Sequence, residues 1–310
     1  VIANFKSGGL TTAPARKLSD LCRLLPDASE IHFYLDGTDL KIEAGSGKYN
    51  LTTLPSEDFP KFEAEDSPSE INISSSNIKS LIGSTSFAMG NDSWRDYLSG
   101  LNLIVDDKTI TAVATDGSRL AVANAVLNEA LPDSINGIVP KKSVNEIGKL
   151  VSETSENIII KLGSTSISID AGGTKFVSKL IEGKFPDHEQ VIPFGESSTM
   201  IINRKDFSDS LSRVSVLSGG DHKGVRFITE KNTINISANN PEKERGEESL
   251  ACSYGGESID IAFNVNYFQE ILSSLSSEEI EINFFGSERS CLITEPNNES
   301  LKYVVMPLLV

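Results

Sequence analysis

The chain is poor in the residues that usually carry chemistry: in 310 residues it has one tryptophan, three methionines, three cysteines and three histidines. Cys22, Cys252 and Cys291 are odd in number, widely scattered and without metal-ligand spacing. That excludes a disulfide framework and a zinc cluster, and each reads as a small core residue of a reduced compartment. His32, His188 and His222 do not pair with one another or with a cysteine at helical spacing. No hydrophobic run approaches the roughly 18 residues of a membrane span, and no stretch reads as a signal peptide. The Gly-rich stretches SGKYN, DAGG and LSGGDHKG fit neither a phosphate loop nor a dinucleotide fingerprint and read as hairpin turns. A G-x-S-x-G elbow is missing too. Paired acids such as Glu242 and Glu244 fall in a polar loop and read as solvated. An enzyme is the weakest reading, and no cofactor or metal is expected.

Basic residues are also in deficit, 28 against 44 acidic, for a net charge of −16. Taken as a bulk property this opposes nucleic-acid binding. Local binding follows the distribution of charge, however, and the distribution is uneven.

What the chain does have is repetition. PKKSVNEIGKLV, a polar break, ENIIIKLGSTSISIDAG and FVSKLIEGKFPD run from Pro140 to Asp187. Val144, Ile147, Leu150 and Val151 lie 126 positions after Leu18, Leu21, Leu24 and Leu25. Phe268, Ile271, Ile282 and Ile293 lie 124 after Val144, Ile147, Ile158 and Ile169. A period of this length is a whole domain, not a solenoid unit. Apolar residues at i, i+3, i+6 and i+7 open each copy with a helix of about three turns, and alternating strands follow. A second unit, EINIS, SNIKSLIGSTSFAM and a meander from Leu98 to Leu127, recurs 124 positions later. Each complete domain is therefore two half-units, each one helix with about four strands. The class is α+β, with domains at 1–66, 67–193 and 194–310 and linkers near Asp66–Pro68 and Pro193–Ser198. VIANFK reads as one strand before the helix at Pro14, so the first domain is expected to hold little of its first half-unit.

The helices concentrate the positive charge: Arg16, Lys17 and Arg23; Lys79; Lys141, Lys142 and Lys149; Arg204, Lys205 and Arg213. NYFQEILSSL has no basic residue, and the loops hold most of the acid. One such helix is an ordinary solvated face; four of five sharing the bias suggest one basic surface. At the C-terminus, YVVMPLLV interrupts an apolar run with proline, which limits sheet pairing and leaves Met306 and Leu308 to line a groove.

TDGSRLA, SKLIEGKFPD, NPEKERGEE, FNVNYF and the terminal YVVMP, in that order, resemble the beta subunit family of bacterial DNA polymerase III, the sliding clamps. The resemblance implies three tandem clamp-fold domains, helices lining a ring and sheets outside. It implies a cytoplasmic, non-catalytic homodimer that encircles duplex DNA without reading sequence. Its partners would be the replicative polymerase subunit, the clamp loader and other proteins with a clamp-binding motif. Carried over residue by residue, the partner-peptide cleft comprises Leu98, Thr115, Gly117, Arg119, Leu120, Pro186 and Val191. From the third domain it takes Asn264, Tyr267, Ser290, Val304, Val305, Met306, Pro307 and Leu308. The DNA-facing residues would be Arg16, Lys17, Arg23, Lys79, Lys142, Lys149, Arg204, Lys205 and Arg213. The dimer interface would bring Val216 and Leu217 against Leu51 of a second copy. Ser118, Gln190 and His222 depart from the family's usual histidine, arginine and aromatic, the last two with a consequence for peptide preference. The competing reading is a repeat-built peptide-binding scaffold that never encircles DNA.

Overall fold

The computed structural model describes residues 4–5, 7–27, 29–60, 69–91, 94–154, 156–219 and 224–308. His222 and the expected linker at 66–68 lie outside them. The chain divides into two compact units, 1–63 and 64–310.

In the first unit, helix α1 (Ala15–Leu24) precedes a three-stranded antiparallel sheet of β1 (Ile31–Asp36), β2 (Asp39–Ala44) and β3 (Gly47–Thr52). Leu40, Ile42 and Ala44 alternate inward on β2 and are buried. The stripe expected on α1 is shallower than its copies. Leu24 is 84% exposed, and none of the helix is buried. Cys22, expected in a core, is exposed. Asn4 and Phe5 are not in a strand, so the reading of VIANFK as one does not hold for these two residues.

The second unit runs β4 (Ser69–Ser74), α2 (Ser75–Thr85), β5 (Gly100–Asp106), β6 (Thr109–Thr115), β7 (Arg119–Val126) and β8 (Ile135–Pro140). It continues with α3 (Lys141–Ser152), β9 (Asn157–Leu162), β10 (Ser166–Ala171) and β11 (Thr174–Lys179). The same order then recurs: β12 (Ser198–Asn203), α4 (Arg204–Ser215), β13 (Gly224–Glu230), β14 (Thr233–Asn239), β15 (Arg245–Ala251), a short β16 (Ser253–Tyr254) and β17 (Asp260–Asn264). It closes with α5 (Val265–Ser274), β18 (Glu279–Phe284), β19 (Cys291–Glu295) and β20 (Asn298–Val305). Side chains at the ends of β4, β12 and β17 start the helices: Ser74, Asn203 and Asn264 each accept a backbone N–H of the first turn.

The cores differ in material. In the first copy Ile78, Leu81, Val144, Ile147 and Val151 fill the space between helices and sheets. In the second, Phe207, Phe227, Phe263 and Phe268 do so, with Phe227 and Phe268 edge to face at 5.2 Å.

The two copies are joined by a seam of backbone pairing. β20 pairs antiparallel with β7, Leu301 opposite Ala123 through Val305 opposite Arg119. This makes one nine-stranded sheet, β16-β12-β18-β19-β20-β7-β6-β5-β8, across both. Edge strands offer unpaired N–H and C=O groups, and here two edges satisfy each other.

Candidate partner-binding cleft and charged helix faces

The seam ends at a tight turn. Asp116 Oδ1 accepts the backbone N–H groups of Ser118 (2.9 Å) and Arg119 (3.1 Å). Thr115 Oγ1 donates to the Arg119 carbonyl (2.5 Å) and accepts from the Gly117 N–H (3.1 Å). Gly117 has φ +94°, a conformation that side chains rarely adopt, so the backbone requires glycine here; the Arg95 guanidinium tip, 2.9 Å from where a Cβ would sit, could swing aside. The C-terminal tail crosses this turn. Met306 N–H donates to the Ser118 carbonyl (2.9 Å) and Leu308 N–H to the Ala262 carbonyl of β17 (2.8 Å). Tyr303, Val304 and Val305 are core residues, whereas Met306 is 50% exposed.

Strand alternation divides the expected cleft residues between two faces of the sheet. On one face Leu98, Leu120 and Val304 cluster with Val122 and Phe185, packed by Tyr97, Ile192 and Leu292. Val191 is exposed and Pro186 lies on the surface beside buried Phe185. On the opposite face Val305 is fully buried in the main core, and Arg119 and Tyr267 meet. Val305 therefore belongs beneath the helices and offers nothing to a groove. Ser290 is half-buried next to Cys291, and Asn264 caps α5 through its Oδ1.

Arg119 is the most heavily bonded residue of the set. Its Nε donates to Asp116 Oδ2 (3.0 Å), its Nη1 to Glu270 Oε2 and its Nη2 to the Phe87 carbonyl (2.8 Å). Its guanidinium also lies over the rings of Tyr267 (4.5 Å) and Phe87 (5.4 Å). A buried guanidinium needs this degree of compensation. Arg119 thus latches β7 to α5. Gln190 Nε2 is tied to Asp187 Oδ2 (2.9 Å). Burial lowers the His188 pKa, against Glu189 and Asp187, which favours the neutral ring.

The helix cations split into two groups. Arg204 is taken up by the carbonyls of Ser277 and Leu272. Arg213 forks onto Glu248 (2.6 and 2.7 Å), which raises its pKa through that hydrogen bond. Lys205 pairs with Asp209, Lys149 with Glu146 and Arg16 loosely with Asp20. Lys17, Arg23, Lys79 and Lys142 have no acidic partner among the described residues. Val216, at the end of α4, is 78% exposed, and Leu217 and Leu51 are half-buried.

Sequence reasoning missed Phe87, Phe185, Tyr97 and Glu270. Glu270 lies on the one helix without basic residues, where an acidic group suggests solvent and nothing points to an arginine 151 positions away. A cavity of about 710 Å³ opens on the helix side of the seam, lined by serines, Asn124 and Glu295. The Glu295 carboxylate already accepts from the Ser276 and Ser277 N–H groups and the Asn298 amide. It is therefore not poised for proton transfer.

Profiles of DNA polymerase III beta subunit match the chain in sequence order: the N-terminal domain at 2–63, the central domain at 72–187 and the C-terminal domain at 189–309. A curated relative from Vibrio cholerae, "Beta sliding clamp", is 35% identical over 304 residues, 98% of this chain and 82% of that protein. The Escherichia coli K12 protein of that name is 35% identical over 300 residues, 97% and 82%. The crystal structure of the Pseudomonas aeruginosa DNA polymerase III subunit beta superposes with a TM-score of 0.95 at 35% identity, covering 100% of this chain and 85% of that one. A Pseudomonas aeruginosa clamp bound to griselimycin matches at 0.91 and 36% identity, covering 97% and 81%.

Proposed function

The chain belongs to the beta subunit family of bacterial DNA polymerase III, the beta sliding clamps, and on that footing we propose how its own residues serve a DNA replication processivity factor. The protein is non-catalytic. Two copies form a ring that encircles duplex DNA and tethers the polymerase and other motif-bearing partners. In this reading helices line the hole, sheets face outward, and the protein works in the cytoplasm beside the DNA. Among the described residues no helix is long and apolar enough to cross a membrane.

The seam between β7 and β20 carries the reading. It is a head-to-tail junction between like domains, and such a junction, repeated, closes a ring where the rotation per step closes. Through the repeat, β3 corresponds to β20 and β15 to β7. Tyr303 and Tyr49 pair with the equivalent Ile293 and Ile42. Ala121 and Gly246 pair with the equivalent Ala114 and Ala238. Tyr303 faces Ala121 in the seam, so Tyr49 of one copy would face Gly246 of the next, with Lys48 opposite Glu247. Val216, Leu217 and Leu51 supply apolar contact at that joint.

Retention by enclosure makes weak, sequence-independent phosphate contacts sufficient, a role for Lys17, Arg23, Lys79 and Lys142. The remaining cations, already paired, would add less. The cleft is the apolar face around Leu98, Leu120, Val304 and Met306, rimmed by Pro186 and Val191 and bounded by the Thr115–Arg119 turn, Pro307 and Leu308. Domain limits near 66 and 193 complete the assignment. Clamp loaded onto nicked circular DNA should stay bound and be lost once the circle is cut. Equal loss before and after linearisation would leave the non-encircling scaffold instead.

A further inference from the structure

The seam stops short of the ends of its two strands. Its last pair is Leu301 opposite Ala123, yet β7 runs on to Val126 and β20 begins at Asn298. Counted from the Met306 N–H on the Ser118 carbonyl, the antiparallel alternation would send the Ser300 N–H to the Asn124 carbonyl. That N–H donates instead to Asn298 Oδ1 (3.1 Å), and the Asn298 amide donates to Glu295 Oε2 (2.8 Å). The strands fork here, and Asn124 and Ser300, one from each prong, both line the cavity of about 710 Å³. Asn124 is left with two oxygens in want of a donor. Its carbonyl lacks the seam N–H, and its Oδ1 is buried without a hydrogen-bond partner. Ser80 and Ser84 of α2 and Ser273 and Ser276 beside α5 complete a wall of hydroxyls. Among the described residues no lysine or arginine lines the cavity, whereas Glu295 does. The donors on its carboxylate, the Ser276 and Ser277 N–H groups and the Asn298 amide, are neutral, so its charge is not cancelled.

We propose that this fork is a binding site for a primary ammonium group on a short alkyl stem. A buried oxygen without a donor carries a desolvation cost that a ligand N–H removes. An ammonium brings three donors and no acceptor, which matches a wall of carbonyl, amide and hydroxyl oxygens. Its charge complements the one carboxylate of that wall. A phosphate would meet the same carboxylate with no cation to offset it, so anions are rejected. The volume falls in the range of small-molecule sites. Such a group arrives either on a free diamine or on the lysine of a partner protein. Bound, it would tie α2 of the second domain to α5 of the third, where backbone pairing between them gives out. The site depends on neither ring closure nor the partner cleft.

The test titrates diaminobutane, and separately an acetylated and amidated tripeptide with lysine at its centre, into the isotope-labelled full chain. The amide NMR signals of Asn124, Ser276, Ser277 and Ser300 report on the site. At least one probe should shift them and saturate at one molecule per chain. Tighter binding of the diamine marks a free amine as the ligand, and tighter binding of the peptide marks a partner's lysine. Glu295→Gln should weaken the better probe by about tenfold, through loss of a charge-assisted bond. Gly83 of α2 also lines the cavity, and a Cβ built there meets nothing within 4 Å. Gly83→Leu should therefore fill the space and abolish binding, with a thermal melt to show that the fold is kept. Shifts that never saturate, binding that survives Gly83→Leu or ignores Glu295→Gln, or equal binding of neutral butanediol or inorganic phosphate overturns the site.

Discussion

The guanidinium of Arg119 lies 4.5 Å from the ring centroid of Tyr267, across the junction between the second and third domains. The same group holds Asp116 on its own side and Glu270 on the other. Removing one member of a buried charge network leaves the others without compensation. Arg119→Ala should therefore destabilise residues 69–308 by about 3 kcal/mol in urea unfolding. Arg119→Lys should recover only part, because an ammonium cannot fork to two carboxylates and stack at once. An unchanged unfolding midpoint would remove the latch.

Met306 is half exposed at the end of a buried strand, so shortening it costs little in folding. Met306→Ala should weaken a motif peptide by about tenfold, as expected of an apolar anchor at a groove's centre. Fluorescence anisotropy would measure this, with a thermal melt to show that the fold is intact.

If β3 and β15 join across copies, Val216→Glu puts a charge into the apolar part of the joint. Sedimentation velocity should then find monomers at concentrations where the parent is dimeric. Lys48→Glu should loosen the dimer slightly and Glu247→Lys, added to it, should restore it. The coupling expected of an exposed pair is about 0.5 kcal/mol. A double variant no tighter than the single ones would refute the register.

Each unpaired helix cation that meets phosphate contributes to counterion release. Lys79→Ala or Lys142→Ala should lower the slope of log K against log salt by about 1 for each copy in the ring. Arg213→Ala should lower it less, because Glu248 already neutralises that guanidinium.

Glu295 gives a pH dependence whose sign can be worked out. Burial by itself raises its pKa, but donation from the Ser277 N–H, the Asn298 amide and the Ser276 N–H outweighs burial and holds it below the ordinary 4.5. A carboxyl depressed on folding stabilises the fold above its ordinary pKa. That contribution is lost as pH falls through the depressed value. Glu295→Gln should cost about 1 kcal/mol near pH 7 and flatten the acid limb of stability below about pH 4.5. Parallel acid limbs for parent and variant would contradict the assignment.

The repeat was legible because burial imposes the same spacing on each copy: Val144, Ile147 and Val151 in α3 and Phe268 and Ile271 in α5 are all core residues. The helix and strand order of 69–308 followed from that spacing. The seam was not legible, since pairing of β20 with β7 is written in backbone groups that every residue carries. The role of Arg119 depended on Glu270 and Phe87, which only the folded chain brings near. The family resemblance carries Val305 into the groove, and period-two alternation turns its side chain to the other face of the sheet. Leu24 is exposed where its equivalent Leu150 is partly buried, and Cys22 is exposed where its equivalent Leu272 is buried.

The five residue pairs from Leu301–Ala123 to Val305–Arg119 leave no pivot between the second and third domains. Calorimetry of the region 69–308 should show a single cooperative endotherm, because neither half can melt without stripping the other's border strand. Any springiness there must be spread through the twist of the whole sheet, like the flex of a leaf spring.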